Sequence, residues 1–118
     1  MLIVDVIREA NDEHEIYFLL TSYVEAVRYC DKLTSLPDPM RELPFVGMED
    51  VRARIEALGG ELGKRSLEAD RRDHDIVREA MAIFTVALDR LVSLKGQKLR
   101  QMPMAARLFT RRERRLLV

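Results

Sequence analysis

The amino-acid sequence predicts an all-α protein, and three observations lead to that prediction. Apolar side chains recur at spacings of three and four along most of the 118 residues, which is the period of amphipathic helices. Only four prolines and five glycines interrupt this pattern, and they occur at a few places. The length suits a single domain with one hydrophobic core. We therefore expect residues 1–96 to form a small bundle of about four helices, with one long helix in its C-terminal half. Residues 97–118 are expected to form a basic tail that is partly helical or flexible.

The N-terminal part of the chain contains a short predicted helix, residues 2–10, and then a longer one. Asp12 is followed three residues later by Glu15, which is the spacing of a capping box with Asp in place of Ser or Thr. This predicts that the longer helix starts here and continues to about Thr34. One apolar stripe follows it: Ile16, Leu20, Tyr23, Val27 and Cys30. Three aromatic residues fall outside the stripe and predict a second buried face: Tyr17, Phe18 and Tyr29.

Residues 35–47 interrupt the helical pattern. Three prolines in this segment each remove a backbone donor and push the preceding residue away from helical geometry. Apolar residues lie between the prolines, which predicts that the segment packs over the end of the bundle. A short helix is expected over residues 48–58, and Gly59-Gly60 is expected to terminate it. Its inward-facing residues are Val51, Ile55 and Leu58.

The longest predicted helix begins near Ser66 and ends at Gly96. It carries one apolar stripe of strict three-four spacing and a second stripe beside it. The second stripe consists of Ile76, Ala80, Ile83 and Ala87. Such a helix extends for about 45 Å at about 1.5 Å per residue, which is longer than the other helices of one copy can cover. The second stripe is therefore expected to form the interface of a homodimer, and the alternative is that the tail folds back over it.

Charge is divided unequally along the chain. Residues 95–118 contain eight basic residues and one acid, a net charge of +7, whereas residues 1–94 contain 12 basic and 19 acidic residues, a net charge of −7. This segregation predicts that the basic segment meets something anionic. The composition is compatible with the acidic body of its own or a neighbouring subunit, with an acidic protein partner, with anionic lipid and with nucleic acid.

Within the tail, Pro103 can open a helix from Met104 to about Leu117. The candidate partner-binding residues are Arg107, Arg111, Arg112, Arg114, Arg115 and Phe109. Their charge suits nucleic acid, but this segment has a single aromatic residue and follows no helix-turn-helix pattern. We favour docking of the tail on an acidic protein surface.

Two histidines, His14 and His74, have acidic neighbours. If their helices brought both imidazoles to one level, they would form a two-histidine carboxylate metal site. The weak candidates for such a site are His14, His74, Asp70 and Asp73. The spacing argues against such a site, because neither histidine has a glutamate three residues before it, as the Glu-x-x-His motif of a di-iron bundle requires. We expect no metal and no cofactor, with His74 paired to Asp70 one turn earlier.

Catalytic motifs are absent from the sequence: it contains neither a glycine-rich phosphate loop nor a nucleophile elbow. One cysteine excludes an internal disulfide, and no apolar run approaches the roughly 20 residues of a transmembrane helix. We expect a cytoplasmic, non-catalytic helical interaction or adaptor protein, homodimeric, whose basic tail docks on an acidic surface. The second expectation is a nucleic-acid-binding protein that uses the tail. The third is a metal- or phosphate-handling helical enzyme centred on His74.

Overall fold

The computed structural model describes residues 2–29, 36–41, 44–65 and 71–101. Over these ranges the chain is helical and has no strand. The elements are α1 (Ile3–Glu9), α2 (Glu13–Tyr29), a short 3₁₀ helix (Asp38–Met40), α3 (Met48–Lys64) and α4 (Arg71–Gln101). The predicted all-α bundle of four helices, with one long helix in the C-terminal half, is confirmed.

Helix α4 is the central element, because it contacts each of the other three helices and contacts α3 most extensively. The core lies where the apolar faces of the four helices meet around Phe84, which is fully buried. The other large side chains with no exposed surface are Ile7, Ile16, Leu20, Met40, Leu58, Val24, Val51 and Val77. Burial of these groups is the main favourable contribution to folding.

Two polar contacts lie at the junction between α1 and α2. The Asp12 carboxylate accepts a hydrogen bond from the backbone N–H of His14 at 3.0 Å, which confirms the predicted start of α2. At the end of α1, the Arg90 Nε atom donates to the carbonyl oxygen of Ala10 at 2.7 Å. Since Arg90 lies on α4, this bond ties the C-terminus of α1 to the central helix.

The described part of the irregular segment packs onto the bundle, as the sequence predicts. Leu36, Met40 and Phe45 are buried, and the 3₁₀ helix contacts α3. The Phe45 ring meets the Phe84 ring edge-on, with 5.6 Å between centroids. Val46, in contrast, is exposed.

Four predicted helix ends were wrong or fall outside the described residues. Helix α3 continues through Gly59 and Gly60 to Lys64, because packing along α4 outweighs the roughly 1 kcal/mol that each glycine costs in a helix. Helix α4 continues past Gly96 to Gln101. The predicted end of α2 at Thr34 and the predicted start of α4 near Ser66 lie outside the described residues. The structure describes α2 up to Tyr29 and α4 from Arg71 onward.

The prediction that α2 buries a second face was also wrong for two of the three aromatic residues. Phe18 is 70% exposed and Tyr29 is 93% exposed, whereas Tyr17 is half-buried. Helix α2 contacts α1 and α4, and its main apolar stripe is buried at Ile16, Leu20 and Val27, whereas Phe18 and Tyr29 lie on its exposed side.

Candidate interaction surface

The described residues concentrate their net charge at two places. Residues 2–29 contain six acids and two arginines, a net charge of −4, and residues 95–101 contain three cations and no acid, a net charge of +3. The segments between them are neutral, since residues 48–65 and residues 71–94 each contain four acids and four bases. The acidic surface of the bundle is therefore formed by α1 and α2, and the cationic surface by the last two turns of α4.

The two charged regions are neighbours in the fold. The Lys98 Nζ atom lies 3.8 Å from a carboxylate oxygen of Glu13, which joins the end of α4 to the first turn of α2. Both side chains are about half or more exposed, so this ion pair contributes little to stability. The ion pair nevertheless shows that the C-terminal end of α4 lies next to the N-terminal end of α2.

A cavity of about 530 Å³ lies beside this contact, between the N-termini of α2 and α3 and the last turns of α4. Its floor is apolar and includes Phe45, Leu91 and Leu94. Its rim is polar and includes Glu13, His14, Tyr17, Lys95 and Lys98. Burial raises the pKa of the Tyr17 hydroxyl, and the carboxylates of Glu13 and Asp50 raise it further. The phenol is therefore a neutral hydrogen-bonding group of this rim at neutral pH.

Residues 45–47 form one wall of the cavity, and they are attached to α3 through Arg54, which is only 4% exposed. Its guanidinium donates from Nε to the Asp50 carboxylate at 3.3 Å, and its Nη2 atom lies 3.0 Å from the other carboxylate oxygen in an ion pair. It also donates to the carbonyl oxygen of Pro44 at 3.4 Å and lies over the Phe45 ring, with Cζ 3.9 Å from the centroid. Asp50 additionally accepts from the backbone N–H of Val46 at 3.3 Å. These contacts attach the segment before α3 to the first turn of that helix.

Sequence reasoning missed this arrangement. The inward face of α3 was predicted from Val51 and Leu58, which are fully buried, and from Ile55, which is half-buried. Arg54 lies next to that face, and the only signal in the sequence is the four-residue spacing from Asp50, which is also common on exposed helix surfaces. Its burial depends on Phe45 and Pro44, which precede the helix.

The structure does not bring the two histidines together. His14 lines the cavity beside Leu94 and Lys98, near the end of α4, whereas His74 lies in the first turns of the same helix. Twenty residues of helix separate the two levels, which corresponds to about 30 Å. Asp73 is paired with Arg65, with 3.1 Å between Oδ2 and Nη1, and Asp70 lies outside the described residues. Within the described ranges, no group of three or more histidine, cysteine or acidic side chains is arranged to hold a metal ion.

The stripe predicted to form a dimer interface lies inside a single copy of the chain. Its four residues are at most 6% exposed: Ile76, Ala80, Ile83 and Ala87. Helix α4 contacts three other helices, so their apolar character is explained by packing within one copy. The argument for a dimer through this stripe is thereby removed, although a homodimer through another surface stays a prediction.

The predicted partner-binding residues lie outside the described residues: Arg107, Arg111, Arg112, Arg114, Arg115 and Phe109. The structure describes the chain up to Gln101, whose helix leads directly into that segment. Among the described helices, none combines the length and the apolar composition that crossing a bilayer requires. Comparisons of this chain with protein-family models, with curated proteins and with solved structures found no match.

Proposed function

We propose that this protein is a non-catalytic interaction module that uses its basic C-terminal segment to bind an acidic protein surface. The observation that carries the proposal is the distribution of charge over the described structure, neutral in α3 and most of α4 and cationic at the end of α4. Three exposed cations lie in the last two turns of α4, within residues 95–101, and five further arginines follow in the sequence within residues 107–115, so residues 95–118 have a net charge of +7. Clustered charge of one sign accelerates and orients association with a surface of opposite sign.

A second candidate function is binding of nucleic acid by the same run of cations. It is favoured by the exposure of Lys95, Lys98 and Arg100 on the last two turns of α4. Phosphate groups would neutralise such cations with release of counterions. The run has a single aromatic residue for base stacking, Phe109, so we rank this function second.

The test compares the two functions on the full chain. Arg107, Arg111, Arg112, Arg114 and Arg115 are replaced by glutamine, and a fluorescent peptide of residues 102–118 is titrated with this variant by anisotropy. We expect saturable binding of the peptide that weakens steeply as salt is raised, because screening shortens the range of the attraction to about 8 Å near physiological ionic strength. A peptide with the same five substitutions is the matched control and should not bind.

The wild-type protein is titrated in parallel with a DNA duplex and with single-stranded RNA. We expect weak binding at physiological salt. Tight binding that needs the five arginines, without binding of the peptide to the variant, would establish the nucleic-acid function in place of the proposed one. Absence of both interactions would refute the nucleic-acid function and would exclude the acidic body of this protein as the surface that the basic segment binds.

A further inference from the structure

The cavity beside the end of α4 combines an apolar floor with an excess of positive charge. Apart from His14, its charged lining residues are two lysines and one glutamate, a net charge of +1: Lys95, Lys98 and Glu13. Small-molecule sites are concave and largely apolar, contain a few convergent polar groups and commonly enclose about 300–1,000 Å³. At about 530 Å³, this cavity has the size and the composition of such a site.

The two lysines of the cavity differ in their surroundings. Lys98 lies 3.8 Å from a carboxylate oxygen of Glu13, which compensates its charge. No acidic side chain among the described residues pairs with Lys95. The uncompensated charge of the lining therefore belongs to Lys95, and this ammonium group is available to an anion.

The acids nearest to Lys95 on α3 already have partners. A second depression, of about 410 Å³, shares Lys95 and residues 46–48 with the cavity and also includes Glu49 and Asp50. Glu49 accepts a hydrogen bond from Arg52, and Asp50 is paired with Arg54. These pairs leave the Lys95 ammonium as the cation without a counterion where the two depressions meet.

The apolar part of the site lies on the same face of α4 as the lysines. Leu91, Leu94, Lys95 and Lys98 follow one another at spacings of three, one and three, which places them on one side of the helix. Residues 45–48 line the cavity as well, and Val46 is 88% exposed. A single exposed valine is ordinary on a protein surface, but here it borders an apolar floor next to an unpaired lysine.

Two other depressions of the described structure lack this combination. One lies beside the first turns of α4, and its two arginines are balanced by two acids: Arg71, Arg72, Asp75 and Glu79. The other includes Arg8 and Arg90. Arg8 is paired with Asp5, and Arg90 donates to the carbonyl oxygen of Ala10.

We propose that the cavity binds a small amphipathic anion, with a carboxylate or phosphate head group at Lys95 and an aliphatic chain against Leu91, Leu94 and Val46. The protonated Tyr17 hydroxyl is a further donor in the lining. The Phe45 ring is covered by Arg54 and meets Phe84 edge-on, so it offers little surface for stacking and an aliphatic chain fits better than an aromatic base. The site goes beyond the proposed function, because its lining residues lie within residues 13–98.

The test is a titration of the full ¹⁵N-labelled chain, followed by NMR chemical shifts. The α4 side of the cavity, from Leu91 to Lys98, is about 10 Å long, so octanoate and octyl phosphate are suitable probes. We expect saturable shifts confined to residues 13–17, 45–48 and 91–98. Acetate, inorganic phosphate and octanol each supply only one half of the ligand and should bind at least about tenfold more weakly. The tighter of the two probes identifies the head group.

Matched variants separate the site from general charge attraction. Lys95→Gln should weaken octanoate binding about tenfold or more, because it removes a charge-assisted hydrogen bond. Arg100→Gln removes the same charge from the same end of α4 but lies outside the cavity lining, so it should change the affinity by less than about twofold.

Four results would overturn the inference: no saturable binding of either probe, shifts centred on another surface, octanol binding as tightly as octanoate, or equal weakening by Lys95→Gln and Arg100→Gln. Each of these results leaves the proposed function standing, since the peptide titration that tests it depends on residues 102–118.

Discussion

Removal of the Asp50 carboxylate should destabilise the protein far more than removal of its partner, Arg54. The two side chains share one hydrogen bond and one ion-pair contact, but their surroundings differ: Arg54 is 4% exposed, whereas the Asp50 side chain is 25% exposed. Asp50→Ala leaves a buried cation that keeps only the Pro44 carbonyl and the Phe45 ring. Arg54→Met leaves a carboxylate that water reaches, that still accepts from the Val46 N–H, and that lies at the N-terminus of a helix.

The magnitudes follow from this difference in burial. Breaking a buried ion pair by removing one partner costs about 3–5 kcal/mol, and the partial exposure of Asp50 places Asp50→Ala near about 3 kcal/mol. Arg54→Met leaves no uncompensated buried charge, because the remaining Asp50 carboxylate is partly exposed and still accepts a hydrogen bond from Val46, so stability should change by less than about 1 kcal/mol. Arg54→Met also removes the Nη1 group, which is buried without a hydrogen-bond partner among the described residues.

Urea unfolding followed by circular dichroism at the helical band measures these changes. For a chain of this size, about 3 kcal/mol corresponds to a decrease in Tm of about 10 °C or more. Glu49→Ala is the matched control, since Glu49 lies in the same first turn of α3 but is largely exposed, with only a weak pairing to Arg52 at 3.5 Å. The double variant should resemble Arg54→Met, because the two losses are coupled. Equal costs for the two single variants would refute the reasoning.

Two further predictions concern stability. The Tyr23 hydroxyl is buried without a hydrogen-bond partner among the described residues. Burial raises the pKa of this hydroxyl, and the carboxylate of Glu79 raises it further. As the pH rises above about 10, the unfolded chain therefore loses the Tyr23 proton before the folded protein does. Wild-type unfolding free energy should therefore fall above that pH more steeply than that of Tyr23→Phe, and equal slopes in urea unfolding at several pH values would contradict this. Gly60→Ala should raise the unfolding free energy by about 0.5–1 kcal/mol, because Gly60 is an exposed position inside α3 where an added Cβ meets nothing within 4 Å. A loss of stability in thermal unfolding would instead favour a helix that ends at the glycines.

The fold class was predictable because it depends on properties that repeat along the chain. Apolar spacings of three and four occur wherever a helix lies on a core, so the four helices and the start of α2 at Asp12 followed from local pattern alone. The helix ends that were predicted at glycines were wrong. Gly59 and Gly60 are typical helix terminators, but the packing of α3 against α4 compensates for their low helix propensity.

The candidate surface was predictable only in part. Charge counting along the sequence separated an acidic body from a basic segment, because charge does not depend on folding. It could not show that the net negative charge of the described residues lies on α1 and α2, next to the cationic end of α4.

The sequence by itself determined the helical architecture and the segregation of charge, since both result from the order of residues within single segments. The tertiary structure alone decided which surface each apolar stripe meets. A spacing of three and four shows that a helix face is apolar but not what covers it, so Ile83 was predicted at a dimer interface and lies in the core of one copy. Conversely, Phe18 was predicted to be buried and is exposed. Arg54 became buried through contacts with Pro44 and Phe45, which belong to a different segment, and the two histidines were separated by the length of α4. Each of these outcomes depends on contacts between distant segments, which local periodicity does not contain.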